Sequence, residues 1–216
     1  MHYKFDGVVL KTENAAKPTS QASQAVLEWI STLPRNSAVL DYGCGKFRYT
    51  IPLAKRVKSV AAVDSIHQIK RVQIIHKHRS TLEQYAKDYL PNVQVFDEST
   101  QAWKKRTYNF IVCTNVLSAV PTQRQRVSIL RQLRSLMRKD TCLFLCTQFR
   151  NSYFDNYSMN PDAKFVKEGW LVRKGGVGSF YAILPPERLK ALCIIAELDV
   201  KTCYQIGESA YVTATV

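Results

Sequence analysis

Apolar positions along the chain follow two rhythms. Short, nearly unbroken apolar runs occur at Ala38–Tyr42, Ser59–Asp64, 92–96, 108–114 and 141–147, and their length and β-branched content predict buried strands. Between them apolar residues recur at helical spacing. Val26, Leu27, Ile30 and Leu33 predict an N-terminal helix over 19–33, opened at Pro18-Thr19-Ser20 and closed by Pro34. Val127, Leu130, Leu133 and Met137 do the same for 122–139. A helix is expected over 47–57 with Pro52 in its first turn, and 68–90 reads as one long helix or two joined near Ser80.

The ends of the chain read differently. Residues 1–18 are mixed, with a short strand expected at 7–10, and Pro185-Pro186-Glu187 opens a helix running to Leu198. Two last strands, 200–206 and 211–216, are joined by Gly207-Glu208-Ser209. From Gln148 to Leu184 the pattern breaks into an aromatic, glycine-containing insertion holding Phe149, Tyr153, Phe154, Tyr157, Trp170, Phe180 and Tyr181. Alternating stretches at 170–173 and 179–183 predict a hairpin within it. Strands alternating with helices define an α/β chain, and 216 residues with 46% hydrophobic content suit one domain over 1–216.

The junction after the first buried strand carries the chemistry. Leu40-Asp41-Tyr42-Gly43-Cys44-Gly45 runs from an apolar strand through a carboxylate into Gly-x-Gly and toward a helix. Glycine there tolerates positive φ and lets a ligand approach the backbone, and unpaired N–H groups at the helix start would face that ligand. The second strand ends in Asp64, about 20 residues on, where a ribose-binding acid is expected. A dinucleotide fingerprint would need a small residue at position 48, and Arg48 stands there.

Asp41-x-Gly43-x-Gly45 instead resembles the acidic glycine motif of class I S-adenosylmethionine-dependent methyltransferases. Their cofactor is cationic at sulfur and nitrogen, which suits a carboxylate. The family's third glycine corresponds to Phe47. The resemblance implies a Rossmann-like, mostly parallel seven-stranded sheet with helices on both faces and an antiparallel C-terminal edge hairpin. It implies S-adenosylmethionine held by Asp41, Gly43, Cys44, Gly45 and Asp64, with Asp97, or its neighbour Glu98, accepting the adenine amino group and Asn115 bordering the transferred methyl. The insertion over 148–184 would cap the acceptor site, with Tyr153 and Tyr181 toward the substrate.

Charge bears on the acceptor. The formal net charge of +14, from 31 basic and 17 acidic residues, favours a polyanionic partner such as nucleic acid. Arg124, Arg131 and Arg138 recur every seven residues, which would place them on one outward helical face. Thr114-Asn115-Val116-Leu117 is neither the Asn/Asp-Pro-Pro-aromatic signature of exocyclic-amine methylation nor a Pro-Cys pair. The acceptor and any catalytic base therefore stay unidentified. A noncatalytic nucleic-acid-binding or partner-regulating protein of this fold is the alternative, with a nicotinamide-dependent oxidoreductase behind it.

Six cysteines at 44, 113, 142, 146, 193 and 203 form no Cys-x-x-Cys pair, which predicts reduced thiols rather than disulfides. Cys142 and Cys146 share a strand face and read as core. Histidines 2, 67, 76 and 78 lack metal-site spacing, so no metal is expected. No run reaches the roughly 18 apolar residues of a membrane helix, and the N-terminus has no apolar signal core. A cytoplasmic protein with no membrane contact is the expectation, its oligomeric state open.

Overall fold

The computed structural model describes residues 2–150, 152–174 and 176–216, without the side chains of Ser152, Tyr153 and Lys174. The chain opens with a hairpin, β1 (His2–Phe5) and β2 (Val8–Lys11), where one short strand was expected. Asp6 and Gly7 take φ of 48° and 72° in its two-residue turn, the backbone such a turn requires. A single 3₁₀ turn at Thr19–Gln21 precedes α1 (Gln24–Thr32), so the N-terminal helix starts five residues later than its sequence signal. Val26 and Ile30 bury its apolar stripe.

β3 (Ala38–Tyr42), α2 (Thr50–Arg56) and β4 (Ser59–Asp64) follow. The next stretch departs from expectation. In place of continuous helix, the chain forms α3 (Ile66–Lys70), a hairpin of β5 (Gln73–Ile75) and β6 (His78–Ser80), then α4 (Leu82–Tyr89). β-Branched Val72, Ile74 and Ile75 favour extended backbone, and His76 and Lys77 turn the chain at φ of 43° and 76°. Thr81 caps α4 by accepting the Gln84 N–H at 3.2 Å, close to the break expected at Ser80.

Then come β7 (Val93–Asp97), β8 (Phe110–Thr114), α5 (Gln123–Arg134) and β9 (Cys142–Gln148). α5 ends at Arg134, and the Ser135 N–H makes its last i→i−4 bond, to the Arg131 carbonyl at 3.0 Å. Arg138 therefore lies beyond the helix and cannot continue the face of Arg124 and Arg131. The insertion supplies α6 (Ser152–Tyr157), β10 (Ala163–Val166), β11 (Gly169–Lys174) and β12 (Val177–Ala182). α7 (Pro186–Ile195), β13 (Asp199–Ile206) and β14 (Ser209–Thr215) complete the chain.

One seven-stranded sheet runs in the order β13-β14-β9-β8-β3-β4-β7. β3 pairs in parallel with β4 and β8, β4 pairs in parallel with β7, and β13–β14 is the antiparallel edge hairpin. This is the Rossmann-like arrangement expected. A second sheet, β1-β2-β12-β11-β10, joins the N-terminal hairpin to the insertion through parallel β12–β2 pairing, a partnership invisible in the sequence.

The chain forms two compact units, one of residues 1–15, 113–135 and 144–216 and another of 16–112 and 136–143. In the first, Leu10, Leu171, Phe180 and Ala182 bury one face of the second sheet. Gly178 is required there, since a Cβ would stand 2.8 Å from Leu10 and 2.9 Å from Val8. In the second, Val39, Leu40, Ala62, Val63 and Ile111 form the strand core, and Trp103 is wholly enclosed.

Candidate functional site

The glycine turn lies within the second unit. β3 brings Asp41 and Tyr42 to its end, both buried, and Gly43 then turns the chain at φ 77°. The N–H groups of Gly43 and Cys44 both donate to the Val63 carbonyl, at 2.8 and 3.1 Å, which clamps the turn to the end of β4. Gly45, at φ 57°, donates its N–H to Asp64 Oδ2 at 2.8 Å, and Ser65 N–H reaches Asp64 Oδ1 at 2.8 Å. The glycine turn and the second acid are thus one hydrogen-bonded unit.

The turn is longer than the sequence suggested. Helix α2 begins at Thr50 rather than near Phe47, because Phe47 itself takes φ 61°. Phe47 thereby adopts the backbone expected of glycine at this place, an outlier for a bulky residue. Its side chain is fully buried, with its ring 6.1 Å from that of Tyr85. The N–H groups of Gly43, Cys44 and Gly45 are taken by Val63 and Asp64, and no helix begins at Phe47 to offer others.

Asp41 is 1% exposed and accepts one side-chain bond, from Thr50 Oγ1 at 2.6 Å. Burial pushes its carboxyl up to about 6, the Thr50 bond opposes the shift, and the charge of Asp64 adds to it. Asp64 is likewise raised, by burial first, against the stabilising N–H groups of Gly45 and Ser65. Burial, with Asp64 and Asp41 behind it, lifts the Cys44 thiol well above its ordinary range, so Cys44 is inert packing. One buried and one half-buried acid with this little compensation leave room for a cation.

Gln68 was missed in the sequence. Wholly buried at the start of α3, it donates Nε2 to the Gly45 carbonyl at 2.6 Å and to Gln73 Oε1 at 3.0 Å. Its own Oε1 is buried without a partner. The signal was the Ser65-x-x-Gln68 capping pattern, in which Ser65 Oγ accepts the Gln68 N–H. Thr50 was missed as well, since nothing in the sequence ties it to Asp41.

Of the two acids proposed for adenine, Asp97 accepts from Ser99 N–H and Oγ at 3.1 and 2.8 Å, which folds it into a local turn. Glu98 accepts the Tyr42 hydroxyl at 2.8 Å, and its N–H donates to the Asp64 carbonyl at 2.9 Å. Ala16 flanks the turn: a Cβ on Gly45 would meet its Cβ at 3.4 Å. The Tyr49 hydroxyl accepts the Ser23 N–H at 3.1 Å, fixing the incoming segment.

Asn115 belongs to the first unit. It takes φ 58° directly after β8, donates its N–H to the Cys146 carbonyl at 2.7 Å and accepts the Gln148 N–H on Oδ1 at 2.9 Å. Its amide oxygen ties two strand ends together. Arg126, counted among the basic residues of α5, is wholly buried and paired with Glu168, with Nε donating to the carbonyls of Leu117 and Val120. Tyr181 packs in an aromatic cluster, its ring 5.7 Å from Tyr157 and 6.1 Å from Phe154. The Tyr153 side chain lies outside the described residues. Cys142 is half-buried while Cys146 is core, and His76 and His78 sit on the β5–β6 hairpin rather than on a helix.

The parallel strand order, the acid-glycine turn and the second acid define a Rossmann-like, class I S-adenosylmethionine-dependent methyltransferase, with S-adenosylmethionine as methyl donor. A family model described as a methyltransferase domain matches residues 15–188, and the chain belongs to that family. It is 29% identical over 213 residues to the uncharacterized protein YmfD of Escherichia coli K12, covering 99% of this chain and 95% of that one. A 95-residue stretch, 43% of this chain, is 34% identical to the 23S rRNA (uracil(1939)-C(5))-methyltransferase RlmD of Haemophilus parainfluenzae, of which it covers 20%. A Clostridium acetobutylicum S-adenosylmethionine-dependent methyltransferase shares the fold at TM-score 0.61 and 13% identity, over 94% of both chains. Among the described residues no helix is long and apolar enough to cross a membrane, and no group of three or more ligating side chains could hold a metal.

Proposed function

We propose that this chain transfers the methyl group of S-adenosylmethionine to RNA, and that the turn Gly43-Cys44-Gly45 with Asp41 and Asp64 holds the cofactor. The observation that carries the cofactor assignment is Asp64, anchored through both oxygens to the Gly45 and Ser65 N–H groups. Each of those oxygens keeps a lone pair for a ribose hydroxyl. The residues fit the group in charge as well as in shape. Asp41, buried, and Asp64, half-buried, are held above their ordinary range, and a sulfonium and an ammonium supply the countercharge they lack. The unpartnered Gln68 Oε1 offers a further acceptor beside the turn.

When bound, the cofactor supplies an electrophilic methyl carbon. The protein's task is then to hold donor and acceptor in line and exclude water, which needs no strong base. Glu98, presented by Tyr42, is the better placed of the two acids for the adenine amino group, because Asp97 already satisfies Ser99. RNA as acceptor is supported by the net charge of +14 and by the likeness to part of an rRNA methyltransferase. Cytoplasmic location belongs to the same reading.

Calorimetric titration with S-adenosylmethionine, followed by transfer of its labelled methyl to total RNA, tests both halves. Asp64→Ala is expected to weaken cofactor binding by tenfold or more, in line with about 1.5–3 kcal/mol for a hydrogen bond to a charged group. Unchanged affinity in that variant would remove Asp64 from the site. Labelling of small acceptors but never of RNA would overturn the acceptor.

A further inference from the structure

We propose that the β5–β6 hairpin is a single-stranded RNA-binding ribbon attached to the cofactor turn; the proposal rests on RNA being the acceptor. A crossover between parallel strands β4 and β7 requires only a helix, and the hairpin is extra chain within it. Its inner side is small: Gln73 and Ile75 are buried, 6% and 0% exposed. Ile74 and its cross-strand partner Arg79 lie on the opposite face, and Arg71, Val72, His76, Lys77 and His78 are exposed as well.

From Ser65 to Leu82 there is no acidic residue, against Lys70, Arg71, Lys77, Arg79 and three histidines. Lys70 pairs with Glu83, which lies beyond the stretch. Basic residues on the second sheet are treated differently: Asp6 accepts Arg173 at 2.8 Å and stands 3.8 Å from Lys164. The hairpin thus leaves its positive charge for an external anion.

Apolar and aromatic surface is interleaved with that charge. Val72 and Ile74 are 56% and 57% exposed and Tyr89 is 50% exposed. Tyr89 pairs with His78, ring centroids 4.6 Å apart and hydroxyl 3.2 Å from Nδ1, and with Tyr85 at 4.8 Å. Exposed aromatic faces beside cations bind unpaired bases by stacking while the cations follow the phosphates. Duplex RNA hides its base faces and could not use them.

The tip supports the same reading. A two-residue turn needs positive φ at both central positions, which Asn-Gly meets at least cost. This chain puts His76 and Lys77 there, keeping two basic side chains at the apex in spite of the backbone. The ribbon is also tied to the cofactor turn, since Gln73 bonds Gln68 and Gln68 bonds the Gly45 carbonyl.

Fluorescence anisotropy of the full chain with a labelled single-stranded RNA oligonucleotide of mixed sequence tests this. The triple variant Arg71→Ala, Lys77→Ala, Arg79→Ala is expected to lose at least tenfold in affinity, with the salt slope reduced by about 2 for three phosphate contacts. Tyr89→Ala is expected to lose about fivefold or more and Tyr89→Phe to keep stacking. Arg124→Ala with Arg131→Ala should leave binding unchanged. S-adenosylmethionine titration of each variant, together with thermal melting, reports on folding, and retained cofactor affinity with lost RNA affinity supports the ribbon. Wild-type RNA binding that survives the triple variant overturns the ribbon and leaves the RNA acceptor standing. No RNA binding or RNA methylation by the wild type overturns the acceptor reading itself. Tighter binding of duplex RNA or of single-stranded DNA overturns the assignment to single-stranded RNA.

Discussion

Each compact unit buries one charged side chain, and the fold treats the two in opposite ways. Arg126 is enclosed with its own countercharge, Glu168, and with the carbonyls of Leu117 and Val120 as acceptors. Burial lowers its pKa, but Glu168 pulls it back. Asp41 has a single hydroxyl partner, Thr50, and an acidic neighbour that makes matters worse. The first arrangement carries its countercharge within the fold, although Nη2 of Arg126 is left without a partner. The second is open, and its deficit is the mark of a site whose missing charge arrives with something else.

The sharpest way to break the comparison is to open the first site. Arg126→Met keeps the apolar stem, removes the guanidinium, and leaves Glu168 and two carbonyls without their donor. Removing one partner of a buried pair costs about 3–5 kcal/mol, so the urea midpoint should fall at unchanged m-value. A loss under about 1 kcal/mol would mean that Arg126 contributes no more than a surface pair, and the contrast with Asp41 would collapse.

The open site is tested by pH. A carboxyl raised from 3.8 to about 6 in the folded state leaves stability untouched below the unfolded value. Between those two values the unfolded chain ionises first, and stability falls as pH rises through the folded pKa. Two pH units correspond to about 3 kcal/mol. Ligand-free protein should therefore lose stability between about pH 4 and 6, and Asp41→Asn should flatten that part of the profile while weakening S-adenosylmethionine binding. A profile identical in the two proteins would show that Asp41 is not frustrated in the folded chain. Cofactor titration near pH 6 should also release protons from the wild type and not from the variant, because a cation favours the ionised carboxylate.

The same contrast separates what the sequence disclosed from what it hid. Asp41, Gly43, Gly45 and Asp64 were legible because a strand end, a positive-φ turn and an acid lie within one local pattern, whose parts are at most 23 residues apart. Arg126 was illegible: its spacing of four and seven from Leu130 and Leu133 sets it on the apolar stripe, but nothing local names the partner that allows a guanidinium to be buried there, Glu168, 42 residues away. The β12–β2 pairing joins Val9 to Val177, far apart in the chain, and leaves no local trace. The hairpin at 73–80 was misread as helix because Lys, Arg, Gln and His are acceptable helix formers, and the β-branched residues at 72, 74 and 75 decided otherwise. α5 ended at Arg134, although its apolar spacing continues to Met137.

A smaller effect sharpens the reading of the open site's backbone. Phe47 holds φ 61° at the place of the family's third glycine, so two opposing terms are built into one residue. Deleting its buried ring costs about 3–4 kcal/mol, and glycine returns about 1–2 kcal/mol by relieving the left-handed strain. Phe47→Gly should then cost about 2 kcal/mol net. Phe47→Ala loses the ring and keeps the strain, so it should be the less stable of the two by about 1 kcal/mol. That inverts the usual ordering, in which glycine is worse than alanine. Thermal or urea unfolding of the pair decides it, and the usual ordering in the data would show that Phe47 does not hold the turn in the left-handed region. If the inversion is found, cofactor affinity retained in Phe47→Gly and reduced in Phe47→Ala would tie the turn's backbone, rather than the Phe47 ring, to binding.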